Sequence, residues 1–467
     1  MPAISATVPE DAAAVRIRPG VGFKGTVRLP GSKSLTNRAL LIASVARGTS
    51  VLENALDCED SRLLAKALRK LGVRIDWDEA RSRIEVRGAG GPYRVREGRF
   101  ELGNAGTSCR FLTAALAATG GRYVVDGDRR MRERPIGDLV RALRALGADA
   151  EAPTGCPPVK IGPRPFSGGR VDVPGSTSSQ FISAILMAAP LTGERVEVRV
   201  TGDLVSRPYL DLTLDCMRRF GARAYADDRT RDGQPVFVVP AGSSYAGAEY
   251  AVEGDASAAS YFFAAAAVTG TTVRVEGVGK ETRQGDARAA DILAAMGCRV
   301  TKEREAITVT GSLLKGVDAD CSEIPDVVPT LAVAAVFARG RTRLFGVAHL
   351  RHKESDRIAS VASELHKLGA NVKELPDGLE VEGTLGPGES PLRGAEIEPW
   401  GDHRIAMALS VAGLAVPGLV VRNPQVVSKS FPGFFSALAA LGAEVEFVRR
   451  RPAGPQGGGP SEPPPRS

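Results

Sequence analysis

The chain has 467 residues, 43% of them hydrophobic and 25% charged, so folded cores are possible, wholesale disorder is excluded, and length alone suggests about three domains. The net charge is +7, but the last 19 residues hold four Arg and one Glu; the remaining excess is too mild for a polyanionic polymer and compatible with small acidic substrates. No apolar run reaches the ~18 residues of a membrane helix. The N-terminus lacks a signal-peptide pattern, and six scattered cysteines form no C-x-x-C pair, so a reducing, cytoplasmic setting is expected rather than a disulfide framework or a zinc site.

Residues 1–15 are expected to be loose. From there two phrases alternate along the chain. The first is a polar, Gly/Ser-rich cluster followed by an Ala-rich apolar stretch of about three turns and then a β-like run. Its clusters are GSKSLTNR (31–38), GNAGTSCR (103–110), GSTSSQ (175–180), EGDASAAS (253–260), SEIPD (322–326) and WGDHR (400–404). Its closing glycines are Gly48, Gly120, Gly193, Gly270, Gly340 and Gly418. The second phrase, as in LRKLGVRI or LHKLGANV, turns at Gly72, Gly147, Gly221, Gly297, Gly369 and Gly442, with spacings of 75, 74, 76, 72 and 73. It predicts an amphipathic helix ended by a Gly cap and followed by a strand. The Ala-rich helices are apolar nearly all round, so they should be buried. Six such units fit two domains of three, with a hinge near residues 245–252. A Pro/Gly-rich tail, 449–467, is expected to be disordered.

The chemistry gathers at the starts of the buried helices. A helix N-terminus presents unpaired N–H groups and a partial positive charge, so small residues there admit an anion. N-capping explains Ser, Thr, Asp and Asn equally well, and for 253–260 the two readings stand side by side. Lys33, Arg38, Arg110 and Arg404 are harder to explain by capping, because a cation opposes the helix dipole unless an anion lies between them. The segment HLRHKESDR (349–357) adds Lys353 and Arg357, which at i,i+4 would share a helix face, with Glu354 beside them. It occupies the same position in its unit as ERP (133–135) and SRP (206–208) in theirs. No metal-ligand cluster and no nucleotide-binding glycine motif is visible, and Cys109 reads as packing.

The segments LPGSKSLTNRALLIA, GNAGTSCRFL, RMRERPIGDLVRAL, GSTSSQFISAILMAAPL, SRPYLDLTLDCMRRFG, VEGDASAASYFFAAA, QGDARAADILAAMG, IPDVVPTLAV, LRHKESDRIA, GDHRIAMAL and SKSFPGFF together resemble the 5-enolpyruvylshikimate-3-phosphate synthase family, over about residues 16–447. The resemblance implies an α/β fold of two domains, each of three repeated βαβαββ-type units, expected at 1–30 plus 252–448 and at 31–251. It implies transfer of the enolpyruvyl group of phosphoenolpyruvate to the 5-hydroxyl of shikimate 3-phosphate, by addition and elimination, in a cytoplasmic monomer with no cofactor, no metal and no nucleic-acid or membrane partner. Phosphoenolpyruvate would meet Lys33, Asn104, Gly106, Arg134, Gln180, Arg357, Arg404 and Lys429, with Arg110 in the same helix start as Asn104 and Gly106. Shikimate 3-phosphate would meet Lys33, Ser34, Arg38, Ser178, Ser179, Gln180, Ser206, Asp326 and Lys353. Lys33, Asp326 and Glu354 would carry the protons, Asp326 or Lys33 near the hydroxyl and Glu354 at C3. Phe111, His349 and Thr177 depart from the family's commonest pattern, though none removes a charged ligand. Two other readings compete. A UDP-N-acetylglucosamine enolpyruvyl transferase would show SGAKN instead of PGSKS and a cysteine in the loop that here reads GDRRMRERP (127–135). A nucleic-acid clamp would spread its cations over one face.

Overall fold

The alternation of all-round apolar and one-sided helices dictates a layered unit, and the computed structural model shows it. Residues 8–18, 22–228, 230, 233–384 and 392–449 are described. Twelve α-helices are found among them: α1 (Lys33–Val45), α2 (Glu59–Lys70), α3 (Gly106–Thr119), α4 (Gly137–Ala145), α5 (Ser179–Ala188), α6 (Arg207–Arg219), α7 (Ala256–Thr269), α8 (Ala289–Ala295), α9 (Val328–Val336), α10 (Arg357–Lys367), α11 (His403–Ala412) and α12 (Phe434–Ala440). The odd-numbered helices are the Ala-rich ones. Every residue of α3, α9 and α11 is buried. The even-numbered helices bury one stripe, as α2 does with Leu64, Ala65, Ala67 and Leu68. The glycines that close both phrases all take positive φ, which is the left-handed backbone a helix stop or tight turn asks of them.

Each unit carries a four-stranded sheet. In the second unit, strand Glu97–Glu101 pairs parallel with Arg122–Asp126 across α3, and that strand pairs antiparallel with Val159–Ile161. Three units borrow a strand. The first takes Glu249–Ala251 beside Thr49–Glu53, and the fourth takes Gly25–Arg28 beside Thr272–Glu276. The sixth takes Ala12–Arg18, which lies between Leu419–Arg422 and Glu444–Arg449. The expectation of a loose 1–15 is therefore corrected from residue 12 onward. Its short Ala-Ala-Ala start gives little strand signal, and both of its partners sit at the other end of the chain. Of the expected tail, Arg449 ends a strand, and 450–467 lie outside the described residues.

Buried apolar residues form two separate clusters, one from Leu35 to Val252 and one from Val8–Leu29 together with Ala256–Ala443. In the second cluster α7, α9 and α11 each pack on the other two; in the first, α3 packs on both α1 and α5. The chain passes between the clusters twice, side by side. Ser32 N donates to Glu253 O at 2.8 Å and Asp255 N to Pro30 O at 3.1 Å. At this crossing a Cβ on Gly31 would fall 1.8 Å from the Asn54 carbonyl oxygen, so only glycine fits. No helix among the described residues is long and apolar enough to cross a membrane.

Candidate active site

The starts of five of the six buried helices meet at one cleft between the two clusters. From one side it is lined by Lys33 and Ser34 of α1, Asp60 of α2, Gly106 and Thr107 of α3, Arg134, Ser178, Ser179 and Gln180 at α5, and Ser206 and Tyr209 at α6. From the other come Pro325 and Asp326 ahead of α9, His349, Lys353 and Glu354, Arg357 of α10 and Arg404 of α11.

The helix starts differ in how they are closed. Ser178, Asp356 and Asp402 cap α5, α10 and α11 through their side chains. Asp255 caps α7, and its other oxygen accepts the backbone N–H of Lys33 at 3.0 Å. The cluster 253–260 is thus a cap and a brace, and its residues do not line the cleft. The cap position of α3 is Ala105, whose methyl group cannot accept a hydrogen bond, so the Gly106 end is open to an anion. Lys353 and Arg357 do not share a helix face. The helix begins at Arg357 because Asp356 caps it, accepting from Ala359 N at 3.1 Å, and Lys353 is extended backbone after a 3-10 turn.

Three carboxylates, Asp60 and Glu354 buried and Asp326 half-buried, hold the cations in place. Asp326 receives Arg357 at 2.8 Å and Arg404 at 2.6 Å; Glu354 receives Arg357 at 2.6 Å and lies 3.7 Å from Arg134. Asp60 lies 3.3 Å from the Lys33 ammonium and 2.9 Å from that of Lys429. Behind them Asp402 takes the third side of Arg357 at 2.8 Å. Burial opposes ionisation of all three lining carboxylates, but the adjacent cations outweigh it, and each is held below the usual carboxylate range. Burial pushes Lys353 down to about 8 and His349 to about 3, so His349 is a neutral imidazole. His403, fully buried, is also kept neutral by burial and by the charges of Lys33 and Arg404.

Several contacts tie the two sides together. Arg130 donates to the Lys353 carbonyl at 2.8 Å, Ser206 N to Ser322 O at 2.9 Å, and Lys429 to the Asn104 carbonyl at 2.9 Å. Of the residues expected from sequence, Arg38, Asn104, Arg110 and Lys429 stand one layer behind the lining. Arg38 donates to Thr213 Oγ1 at 2.8 Å and to the Ser34 carbonyl at 3.0 Å, with its guanidinium 5.1 Å from the centre of the Phe111 ring. Arg110 donates to Gln180 Oε1 at 2.6 Å, and Asn104 accepts from Arg134 through both of its oxygens. Sequence reasoning assigned no role to Asp60, Thr107, Tyr209 or Pro325. Tyr209 lies in the quoted SRPYLDL segment, so a signal was present; Asp60 gave none, because its partners Lys33 and Lys429 are remote in the chain.

A family model described as EPSP synthase (3-phosphoshikimate 1-carboxyvinyltransferase) matches residues 17–438. The chain is 46% identical over 423 residues to the 3-phosphoshikimate 1-carboxyvinyltransferase of Thiobacillus denitrificans, covering 89% of this chain and 96% of that protein. It is 42% identical to the chloroplastic enzyme of the same name from Brassica napus, over 94% of this chain and 87% of that one. Among solved structures, EPSP synthase from Acinetobacter baumannii superposes with a TM-score of 0.76 at 32% identity, covering 93% of this chain and 99% of that one. The enolpyruvyl transferase NikO from Streptomyces tendae, at 20% identity, shares the fold with a TM-score of 0.74, over 94% of this chain and 100% of that one.

Proposed function

The chain belongs to the EPSP synthase family, the 3-phosphoshikimate 1-carboxyvinyltransferases, and from that premise we infer how its cleft moves the enolpyruvyl group of phosphoenolpyruvate onto the 5-hydroxyl of shikimate 3-phosphate with release of phosphate. The reaction belongs to the shikimate pathway of aromatic amino-acid biosynthesis. The observation that carries the reading is the convergence of Lys33, Arg134, Lys353, Arg357 and Arg404 on one enclosed space beside an open helix start. Two substrates bearing two phosphates and two carboxylates need such a concentration of cations, and planar Arg pairs bidentately with both groups.

In this reading Lys33, Arg134, Gln180, Arg357 and Arg404 bind phosphoenolpyruvate beside Gly106, with Asn104 and Lys429 holding that wall. Ser34, Ser178, Ser179, Gln180, Ser206, Asp326 and Lys353 bind shikimate 3-phosphate, and Arg38 fixes the Ser34 turn. The 5-hydroxyl oxygen attacks C2 while C3 gains a proton, giving a tetrahedral intermediate. That intermediate then loses phosphate and a C3 proton. Asp326 takes the hydroxyl proton, and Glu354 serves C3. Arg134 and Arg357 now hold Glu354 ionised. A substrate anion competing for those guanidiniums weakens their hold and raises the carboxyl toward the proton-bearing form that an acid requires.

Residues 1–30 with 252–448 and residues 31–251 act as two domains in this reading, supported by the two separate cores. The protein works as a cytoplasmic monomer with no nucleic-acid partner. Coupled phosphate release, measured with shikimate 3-phosphate and separately with UDP-N-acetylglucosamine as acceptor, tests the assignment. Turnover with the first only is expected; folded protein inactive with it overturns the reading. Glu354→Gln is expected to lower turnover at least ~100-fold with modest change in substrate binding. Near-normal turnover removes Glu354 from the proton chemistry.

A further inference from the structure

Behind Asp326, away from the cleft, lies a second carboxylate for which the assignments above have no use. Asp286, from the QGDARAAD segment, is 3% exposed. Its Oδ2 accepts from Ser257 Oγ and lies 3.1 Å from the Tyr209 hydroxyl, while its Oδ1 has no partner among the described residues. The same Tyr209 hydroxyl lies 3.2 Å from Asp326 Oδ2. One phenol thus stands between two carboxylates and has a single proton to give. With both carboxyls ionised the phenol can bond only one of them, and a proton arriving on one carboxyl makes both contacts hydrogen bonds. Asp326 is ill suited to carry it, being gripped by Arg357 and Arg404. Asp286 has no salt bridge among the described residues. Burial, with Asp326 nearby, pushes its carboxyl up to about 7, whereas that of Asp326 is held low.

We propose that Asp286 is the terminal acceptor for the 5-hydroxyl proton, reached from Asp326 through the Tyr209 hydroxyl. The proposal rests on the reading of Asp326 as the base that meets the substrate hydroxyl. As the hydroxyl oxygen bonds to C2, its O–H bond breaks and the proton passes to Asp326. Asp326 yields a proton to the Tyr209 oxygen, and the phenolic proton of Tyr209 moves to Asp286. Asp326 and Tyr209 end as they began, and Asp286 ends neutral. In the elimination step the proton returns along the chain and leaves with phosphate, so each turnover balances. Asp286 acts through its neighbours and is a positioning residue; it touches no substrate. A small pocket lined by Ser32, Ser34, Tyr209, Leu212, Ser257 and Asp286 backs the chain, with room on the order of one water.

The groups that face Asp286 are Tyr209 from α6, Asp255 and Ser257 at α7, Asp326 ahead of α9 and Arg404 of α11. The nearby pairs Arg288–Glu323 and Asp291–Lys302 are exposed and mutually neutralised. Accepting a proton requires an ionised Asp286, so kcat should rise with pH along an acid limb and then level off.

The test is the pH profile of kcat, with both KM values and thermal unfolding, for the parent, Asp286→Asn, Asp286→Glu, Tyr209→Phe and Asp326→Asn. Asp286→Asn and Tyr209→Phe are expected to lose at least ~10-fold of plateau kcat with little change in either KM. Asp286→Asn should also lose the acid limb, and Asp286→Glu should restore it. A folded Asp286→Asn that keeps the parent's kcat and limb overturns the proposal. So does Tyr209→Phe with the parent's kcat, which decides the matter even where Asp286→Asn fails to fold. Asp326→Asn at the parent's rate instead removes the base from which the chain starts, and overturns the reading of Asp326 as well.

Discussion

Gly106→Ala tests a close steric relation in the cleft. Gly106 opens α3 against the Arg134 guanidinium. A Cβ there would lie 2.6 Å from Nη2, 2.8 Å from Cζ and 2.9 Å from Nη1, whereas ordinary contact begins at 3.4 Å. The guanidinium must retreat by about 0.8 Å to relieve the overlap. Arg134 is only 2% exposed and cannot swing into solvent, and its Nη1 donates to Asn104 Oδ1 at 2.8 Å and to Asn104 O at 3.0 Å. A retreat along the shorter bond takes it to about 3.6 Å, where it has ceased to be a hydrogen bond. Losing one charge-assisted hydrogen bond, or the equivalent contact to substrate, costs about 1.5–3 kcal/mol. That converts to about 10- to 150-fold in affinity. The assay is steady-state phosphate release with phosphoenolpyruvate varied at saturating shikimate 3-phosphate. KM for phosphoenolpyruvate should rise by that factor and KM for shikimate 3-phosphate much less, with the thermal midpoint lowered by a few degrees at most. A KM for phosphoenolpyruvate within about twofold of the parent would mean that Arg134 does not need its observed position to bind that substrate.

Lys353 is a cation below about pH 8, so kcat/KM for shikimate 3-phosphate should fall as pH rises through that value, and Lys353→Arg should move the fall well above it; a flat parent profile refutes the role. Asp60→Asn leaves the Lys33 and Lys429 ammonium groups buried without their shared carboxylate, so stability in urea should drop by roughly 3–5 kcal/mol, with partial recovery at saturating phosphoenolpyruvate. Asp60, Asp326 and Glu354 titrate below their ordinary 3.8 and 4.5 when folded, so the stability they contribute is present above those values and lost as pH falls through the lower folded ones. Asp286 has the opposite sign: its contribution is full below 3.8 and lost as pH rises toward about 7. Urea midpoints measured from pH 7 downward should therefore collapse near and below pH 4, and a midpoint that holds there contradicts the depressed carboxylates.

Much of the fold follows from local rules that a sequence displays openly. A left-handed stop after each helix needs glycine, an all-round apolar helix needs burial, and both recur every ~74 residues, so the six units and their buried and one-sided helices are legible from residue types and spacing. The concentration of function at the buried-helix starts is legible for the same reason: Lys, Arg, Gly and Ser are unusual together where a dipole already supplies positive charge.

What the chain alone does not display are relations between distant segments. The strand Ala12–Arg18 has its partners at the far end of the chain, and the Asp60 carboxylate, which meets Lys33 within its own core, meets Lys429 only once the two cores close on each other. Local pattern marked Lys353 and Arg357 as one helix face, yet the Asp356 cap starts the helix later and sends Lys353 to the cleft by another route. The sequence by itself determined the repeat, the helix types and the cations gathered at their starts, because these depend on neighbours in the chain. Only the tertiary structure decided which carboxylate restrains which cation, and that the Tyr209 hydroxyl stands between Asp326 and Asp286, because charges buried at a shared interface are set by distance through space.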